Sequence, residues 1–68
     1  MTGAEAKEAL TKGGEVYHNG IEYDRISAII YRIIGGKLSI SAEMIDKNQN
    51  CVVIAPIEKI SREVQSDD

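Results

Sequence analysis

The readiest nucleophile and base in this chain are one cysteine, Cys51, and one histidine, His18. A general base needs a partner and a pocket that excludes water. His18 stands one residue before Asn19-Gly20, with Glu15, Tyr23 and Asp24 near it in sequence. A hairpin tip excludes water poorly, so His18 reads as a surface or rim histidine. Cys51 opens a strand beside a polar loop and reads as a buried or half-buried structural thiol; a nucleophile would need His18 close by. One cysteine forms no internal disulfide. One cysteine and one histidine make no four-ligand zinc site without carboxylates or a symmetry mate. Gly13-Gly14 and Gly35-Gly36 lack the spacing and the Lys-Ser/Thr ending of a phosphate loop. No catalytic, cofactor-binding or metal-ligating residue is assigned, and the expectation is a protein that is not an enzyme.

The remaining chemistry is charge. Arg25, Arg32, Lys37 and Lys47 sketch a basic stripe for nucleic acid, but Glu22, Glu43 and Asp46 dilute it into an ordinary solvated face. Arg25 and Asp46 are expected opposite each other across a strand pair, a contact of a few tenths of a kcal/mol. Arg25, Arg32 and Asp46 are the polar candidates for partner contacts.

These side chains depend on elements that the sequence marks clearly. Thr2-Gly3-Ala4-Glu5 fits a capping box, and the good helix formers that follow predict a helix over 3–12, stopped at Gly13-Gly14. Glu8 and Lys12 stand four apart in the favourable order. The apolar face is only Ala6, Ala9 and Leu10, so the helix must dock to persist. Period two then takes over. Asn19-Gly20 predicts a two-residue hairpin pairing His18 with Ile21 and Val16 with Tyr23.

A second hairpin turns at Gly35-Gly36 between β-branched segments. It pairs Ile34 with Lys37, Ile33 with Leu38, Tyr31 with Ile40, Ile29 with Ala42, Ser27 with Met44 and Arg25 with Asp46. One face collects Ile29, Tyr31, Ile33, Leu38, Ile40, Ala42 and Met44, which predicts a buried inner side. The other holds Arg32, Lys37, Ser39, Ser41 and Glu43, interrupted by Ile26, Ala28, Ile30, Ile34 and Ile45. Two readings stay open for those apolar residues: a bent strand that folds them into the core, or an exposed patch that meets a partner or second copy. Ile26, Ile30, Ile34 and Ile45 are the candidate interface, with a dimer as the simplest assembly. A bulge or corner is expected near Asp24-Arg25.

Asp46–Asn50 reads as a polar loop, Cys51–Ala55 as a short strand, and Pro56-Ile57-Glu58-Lys59 as one helical turn begun by proline. Residues 60–64 fit strand and helix equally. The expected layout is one domain over 1–64, with a β-meander over 15–64 and a frayed acidic tail at 65–68.

Composition bounds the rest. The chain is 43% hydrophobic and 28% charged, a globular balance, and its net charge is −3. Such a surface is not drawn to phosphate or anionic lipid by charge alone. No apolar run approaches the roughly 20 residues of a membrane helix. The N-terminus lacks the pattern of a signal peptide, and cytoplasm is the expected compartment. With 68 residues, the core is small enough for a second subunit to contribute.

The order of a short helix, two hairpins with long middle strands, Val52-Val53-Ile54-Ala55 and the Pro56–Lys59 turn resembles an SH3-like or Sm-like small barrel. The fold class expected is mainly β (α+β), a helix followed by an antiparallel meander of four or five strands. The stretches Tyr17–Tyr23, Arg25–Arg32 and Asp46-Lys47-Asn48 also resemble small accessory proteins encoded by phages and prophages of Gram-positive bacteria. That resemblance covers roughly residues 6–60, implies a phage setting, and carries no catalytic residue. Three tyrosines and no tryptophan do not supply the aromatic row with which SH3 domains hold polyproline. The expected function is a protein–protein interaction module, an inhibitor or adaptor acting on a host protein such as one of antiviral defence. The alternative is an oligomeric Sm-like or SH3-like binder of nucleic acid or nucleotide.

Overall fold

The computed structural model describes residues 1–62. Their element order is α1 (Gly3–Lys12), β1 (Val16–His18), β2 (Ile21–Tyr23), β3 (Arg25–Ile34), β4 (Lys37–Ile45), β5 (Val52–Pro56) and a 3₁₀ turn at Ile57–Lys59. The fold is mainly β with a short N-terminal helix. Its strands form a two-stranded ribbon, β1–β2, and an antiparallel sheet ordered β3–β4–β5. One antiparallel bridge, Tyr17 to Ser61, ties the ribbon to the end of the described chain. Among the described residues the strands do not close into a barrel. Residues 63–64 of the expected domain and the expected tail at 65–68 lie outside the described residues.

Local chemistry sets the boundaries as the sequence implies. Thr2 Oγ1 accepts from the Glu5 amide at 3.2 Å while the Thr2 amide donates to Glu5 Oε1 at 2.7 Å, which completes the capping box. At the other end the Gly13 amide donates to the Ala9 carbonyl at φ +78°. The Arg62 guanidinium donates to the Gly13 carbonyl, placing a cation at the negative end of the helix. Asn19 and Gly20, at φ +52° and +75°, make the ribbon turn, and Val16 faces Tyr23. Gly35 and Gly36, at +59° and +79°, make the long hairpin turn with Ile34 opposite Lys37. Positive φ at both central residues matches the right-handed twist of the flanking strands.

The long hairpin keeps the expected register from the turn down to Ile29 opposite Ala42. It then shifts. Between Ile26 and Ala28 the ladder bulges, so Ile26 stands opposite Met44 and Arg25 opposite Ile45. The chain bends at Asp24, the expected corner, where it passes from the ribbon to the long hairpin, and the bulge between Ile26 and Ala28 is a second irregularity beyond it. The displaced Ser27 donates its hydroxyl to Glu43 Oε1 at 2.7 Å. Because side chains alternate with period two, one extra residue turns Ile26 from the outer face to the inner one.

The core is built from Ala6 and Ala9 of α1, Val16, Tyr23, Ile26, Ala42, Met44, Ala55, Ile57 and Ile60, all buried. Met1, Ile29, Ile40 and Val53 pack against it half-buried. Helix α1 lies against β3. The small alanines allow close approach, and the same small size limits how much of the sheet the helix covers. Residues 57–60 divide cleanly: Ile57–Lys59 make the 3₁₀ turn, Ile60 is extended, and Ser61 exchanges two backbone bonds with Tyr17, at 2.7 and 2.9 Å.

Candidate functional site

Strand lengths locate the site. β3 and β4 run 10 and 9 residues, whereas β5 has 5 and β1 and β2 have 3 each. At about 3.3 Å per residue, the long hairpin reaches well past anything that can cover it. β5 follows β4 only from Ile45 to Ser41, where Pro56 stands opposite. Pro56 then leads into the 3₁₀ turn. Residues 31–38 project as an exposed arm.

The inner face changes character along its length. Ala42 and Met44 are fully buried and Ile40 is half-buried, but Leu38 is 59% exposed, Tyr31 51% and Ile33 70%. The expectation of one continuous buried face is thus corrected: burial ends where the small helix and short strands end. The ribbon repeats this pattern, with Val16 and Tyr23 in the core and Ile21, beside its turn, exposed.

At the root of the arm an open groove of about 310 Å³ lies between β4 and the 3₁₀ turn, lined by Leu38, Ser39, Ile40, Pro56, Ile57 and Glu58. Its backbone is available as well. A two-residue turn closes on a hydrogen-bonded pair, here Ile34 with Lys37, so Arg32 with Ser39 forms the next one. The alternate residues, Leu38 and Ile40, direct N–H and C=O away from β3, toward the place that β5 vacates after Pro56. By the same alternation Tyr31 and Ile33 direct theirs outward from the free edge of β3.

The expected outer patch is corrected too. Ile26 is 1% exposed and belongs to the core, by way of the bulge. Ile30 and Ile45 are half-buried and Ile34 is 62% exposed. Ile34 lies beside the turn, while Ile45 lies opposite Arg25 at the far end, roughly 30 Å away along the ladder. They do not form one patch. The exposed apolar residues that sequence reasoning missed are Val52 and Ile54 on β5, at 54% and 49%, together with Tyr31, Ile33 and Leu38. The readable signal was the mismatch in strand length, since cover cannot extend past the covering elements.

The polar candidates separate in the same way. The bulge removes the expected Arg25–Asp46 pair: Arg25 Nη1 instead lies 2.9 Å from Asp24 Oδ2. Asp46 is committed to its loop, where Oδ1 accepts from the amides of Asn50 at 2.8 Å and Cys51 at 3.3 Å. Arg32 stands exposed on the arm opposite Ser39. Lys47 leaves the expected basic stripe, because its ammonium bridges Glu15 and Glu22 and joins the β4–β5 loop to the ribbon. Glu22 also accepts from Tyr17 Oη at 3.0 Å. That bond, with the nearby carboxylate charge, holds the Tyr17 phenol above its ordinary range.

His18 Nδ1 donates to the Lys59 carbonyl at 3.0 Å and fastens the ribbon to the 3₁₀ turn. Cys51 is exposed rather than buried or half-buried, because the strand begins one residue later, at Val52. Among the described residues no cluster of His, Cys, Asp and Glu is arranged to hold a metal ion, and no helix is long and apolar enough to cross a membrane. Comparisons with family models, with curated proteins and with solved structures give no match.

Proposed function

We propose that this chain is a non-enzymatic protein-binding module that takes an extended segment of a partner protein alongside the overhanging part of β4. The observation that carries the reading is the overhang itself. Leu38 and Ile40 combine free backbone donors and acceptors with apolar side chains, and the groove beside them has Pro56 and Ile57 as its opposite wall. An added strand would gain main-chain hydrogen bonds from one and side-chain pockets from the other. The resemblance to phage accessory proteins makes the partner a host protein and the role that of an inhibitor or adaptor, with antiviral defence among the targets. In this reading the fold is an opened relative of the SH3-like or Sm-like small barrel.

The test compares capture by wild type and by Leu38→Glu from lysate of the bacterial host. Leu38 is largely exposed, so the substitution should change stability by less than about 0.5 kcal/mol. It sets a carboxylate in the groove, and a partner held there should be lost at least tenfold. Equal capture by both proteins would remove the reading.

One observation favours a second reading, nucleic-acid or nucleotide binding. Between Ala28 and Ala42 the only charged residues are Arg32 and Lys37, both cationic, in a chain whose net charge is −3. If the arm meets phosphate, affinity for RNA or DNA should fall steeply with salt; a protein partner seated on apolar residues gives a shallow slope.

A further inference from the structure

We propose that the free edge of β3 receives a second copy of this chain, as an antiparallel β3–β3′ pair about a two-fold axis at Tyr31. This assembly uses the opposite edge of the sheet from the β4 groove and does not depend on the partner reading.

The edge has the features that sheet proteins ordinarily avoid. Among the described residues β3 is the outermost strand of its sheet, and it runs 10 residues. From Ile26 to Ile34 it has no proline, no lysine and one charge, Arg32. Exposed edges are normally blunted by shortness, proline or charge. Here the exposed stretch is Tyr31-Arg32-Ile33-Ile34, and Tyr31 and Ile33 direct their N–H and C=O outward from the sheet.

Alternation, charge and the limits set by the bulge and the turn together select the register: an Ile30 centre would carry the pairing across the bulge at Ile26–Ala28, and an Ile33 centre would carry it into Gly35-Gly36. A second strand must keep inner residues beside inner residues, which allows only pairings centred on a residue. An Arg32 centre sets two guanidinium groups directly opposite each other, which is destabilising. A Tyr31 centre avoids this. Tyr31 then faces its own copy and Ile29 faces Ile33′ in hydrogen-bonded pairs, and on the outer face Ile30 lies beside Arg32′ and Ala28 beside Ile34′. Every apolar residue of the arm on β3 gains a neighbour, and the arginines sit on diagonals. The product is a six-stranded sheet, β5–β4–β3–β3′–β4′–β5′, closed by symmetry and leaving both β4 grooves open.

Sedimentation should give twice the chain mass for the wild type at micromolar concentration. Tyr31→Pro is the selective variant. The Tyr31 amide makes no bond within the hairpin, so proline there removes the donor of the intermolecular ladder without breaking a hairpin hydrogen bond, and the variant should be folded by circular dichroism with half the wild-type mass. Register is read by cysteine. In a Cys51→Ser background Tyr31→Cys should oxidise to a covalent dimer, because facing residues of a hydrogen-bonded pair have Cα atoms about 5.5 Å apart. Ile33→Cys, opposite Ile29′, should crosslink at least tenfold more slowly. A wild type of single-chain mass at high micromolar concentration overturns the proposal. So does a Tyr31→Pro variant that keeps the doubled mass, or crosslinking of Ile33→Cys as fast as that of Tyr31→Cys.

Discussion

The two ends of the β3–β4 hairpin are made from the same kinds of residue and have opposite fates. At the base, Ile26, Ala42 and Met44 are fully buried under α1, the ribbon and the 3₁₀ turn. On the arm, Tyr31, Ile33 and Leu38 continue the same alternation into solvent. The composition of a strand therefore does not decide burial; the elements that reach over it do. A 10-residue helix whose buried residues are two alanines covers a few rows of a sheet and no more. The base is where the molecule is held together, and the arm is where its apolar surface is left uncovered.

The largest test of this contrast is a pair of truncations. In the single-chain Tyr31→Pro background, Ile26→Ala should cost about 2–5 kcal/mol, as loss of a fully buried isoleucine does, whereas Ile33→Ala should cost less than about 0.5 kcal/mol. Urea titration of both variants reads the difference directly. Similar losses would mean that the arm is buried in solution.

The turn separates the two ends less sharply. Gly36 sits at φ +79°, a conformation that strains any L side chain, with open space around its Cβ position. Gly36→Ala should cost about 1 kcal/mol through the backbone alone. Hydrogen exchange should quicken at the arm amides and stay unchanged at Ala42 and Met44. Equal loosening along the whole hairpin would show that arm and base open as one unit.

The smallest effects come from two titrations away from the arm, and their signs differ. Bonds from the Thr2 backbone and side chain hold the Glu5 carboxyl below its ordinary range. Its contribution is complete above the ordinary glutamate pKa and is lost as pH falls through the lower folded value. The Tyr17 phenol is raised by its bond to Glu22. That contribution is present below the ordinary phenol value of about 10 and is lost as pH rises through the higher folded one. The stability gap between wild type and Glu5→Gln should therefore narrow on acidification, and the gap to Tyr17→Phe should narrow only in alkali. Gaps that do not change with pH would remove both assignments.

Much of the base was legible in the sequence because its signals are local. Thr2 and Glu5 announce the helix start, and Asn19-Gly20 and Gly35-Gly36 fix both turns and the register beside them. The bulge at Ser27 was harder to read. The hydroxyl displaced there reaches Glu43, 16 residues away, and no residue type marks the position. With it went the placement of Ile26 and the supposed Arg25–Asp46 pair. The arm was hidden for another reason: alternation reports which side of a strand is apolar but not where the cover stops.

The way the described chain closes on itself has a kinetic consequence. The Met1 nitrogen donates to the carbonyls of Ile57 and Ile60, 56 and 59 residues away, at 2.8 Å each, and Tyr17 bridges Ser61. Both hairpins, by contrast, are closed by two-residue turns. Loop-closure entropy delays distant contacts relative to near ones, so the hairpins can zip on a microsecond scale while the clasp between the first and last described residues waits for the collapsed core. The late clasp includes Ile57 and Ile60, both core residues. Substitutions at that seam should mainly speed unfolding, and substitutions at the two turns should mainly slow folding.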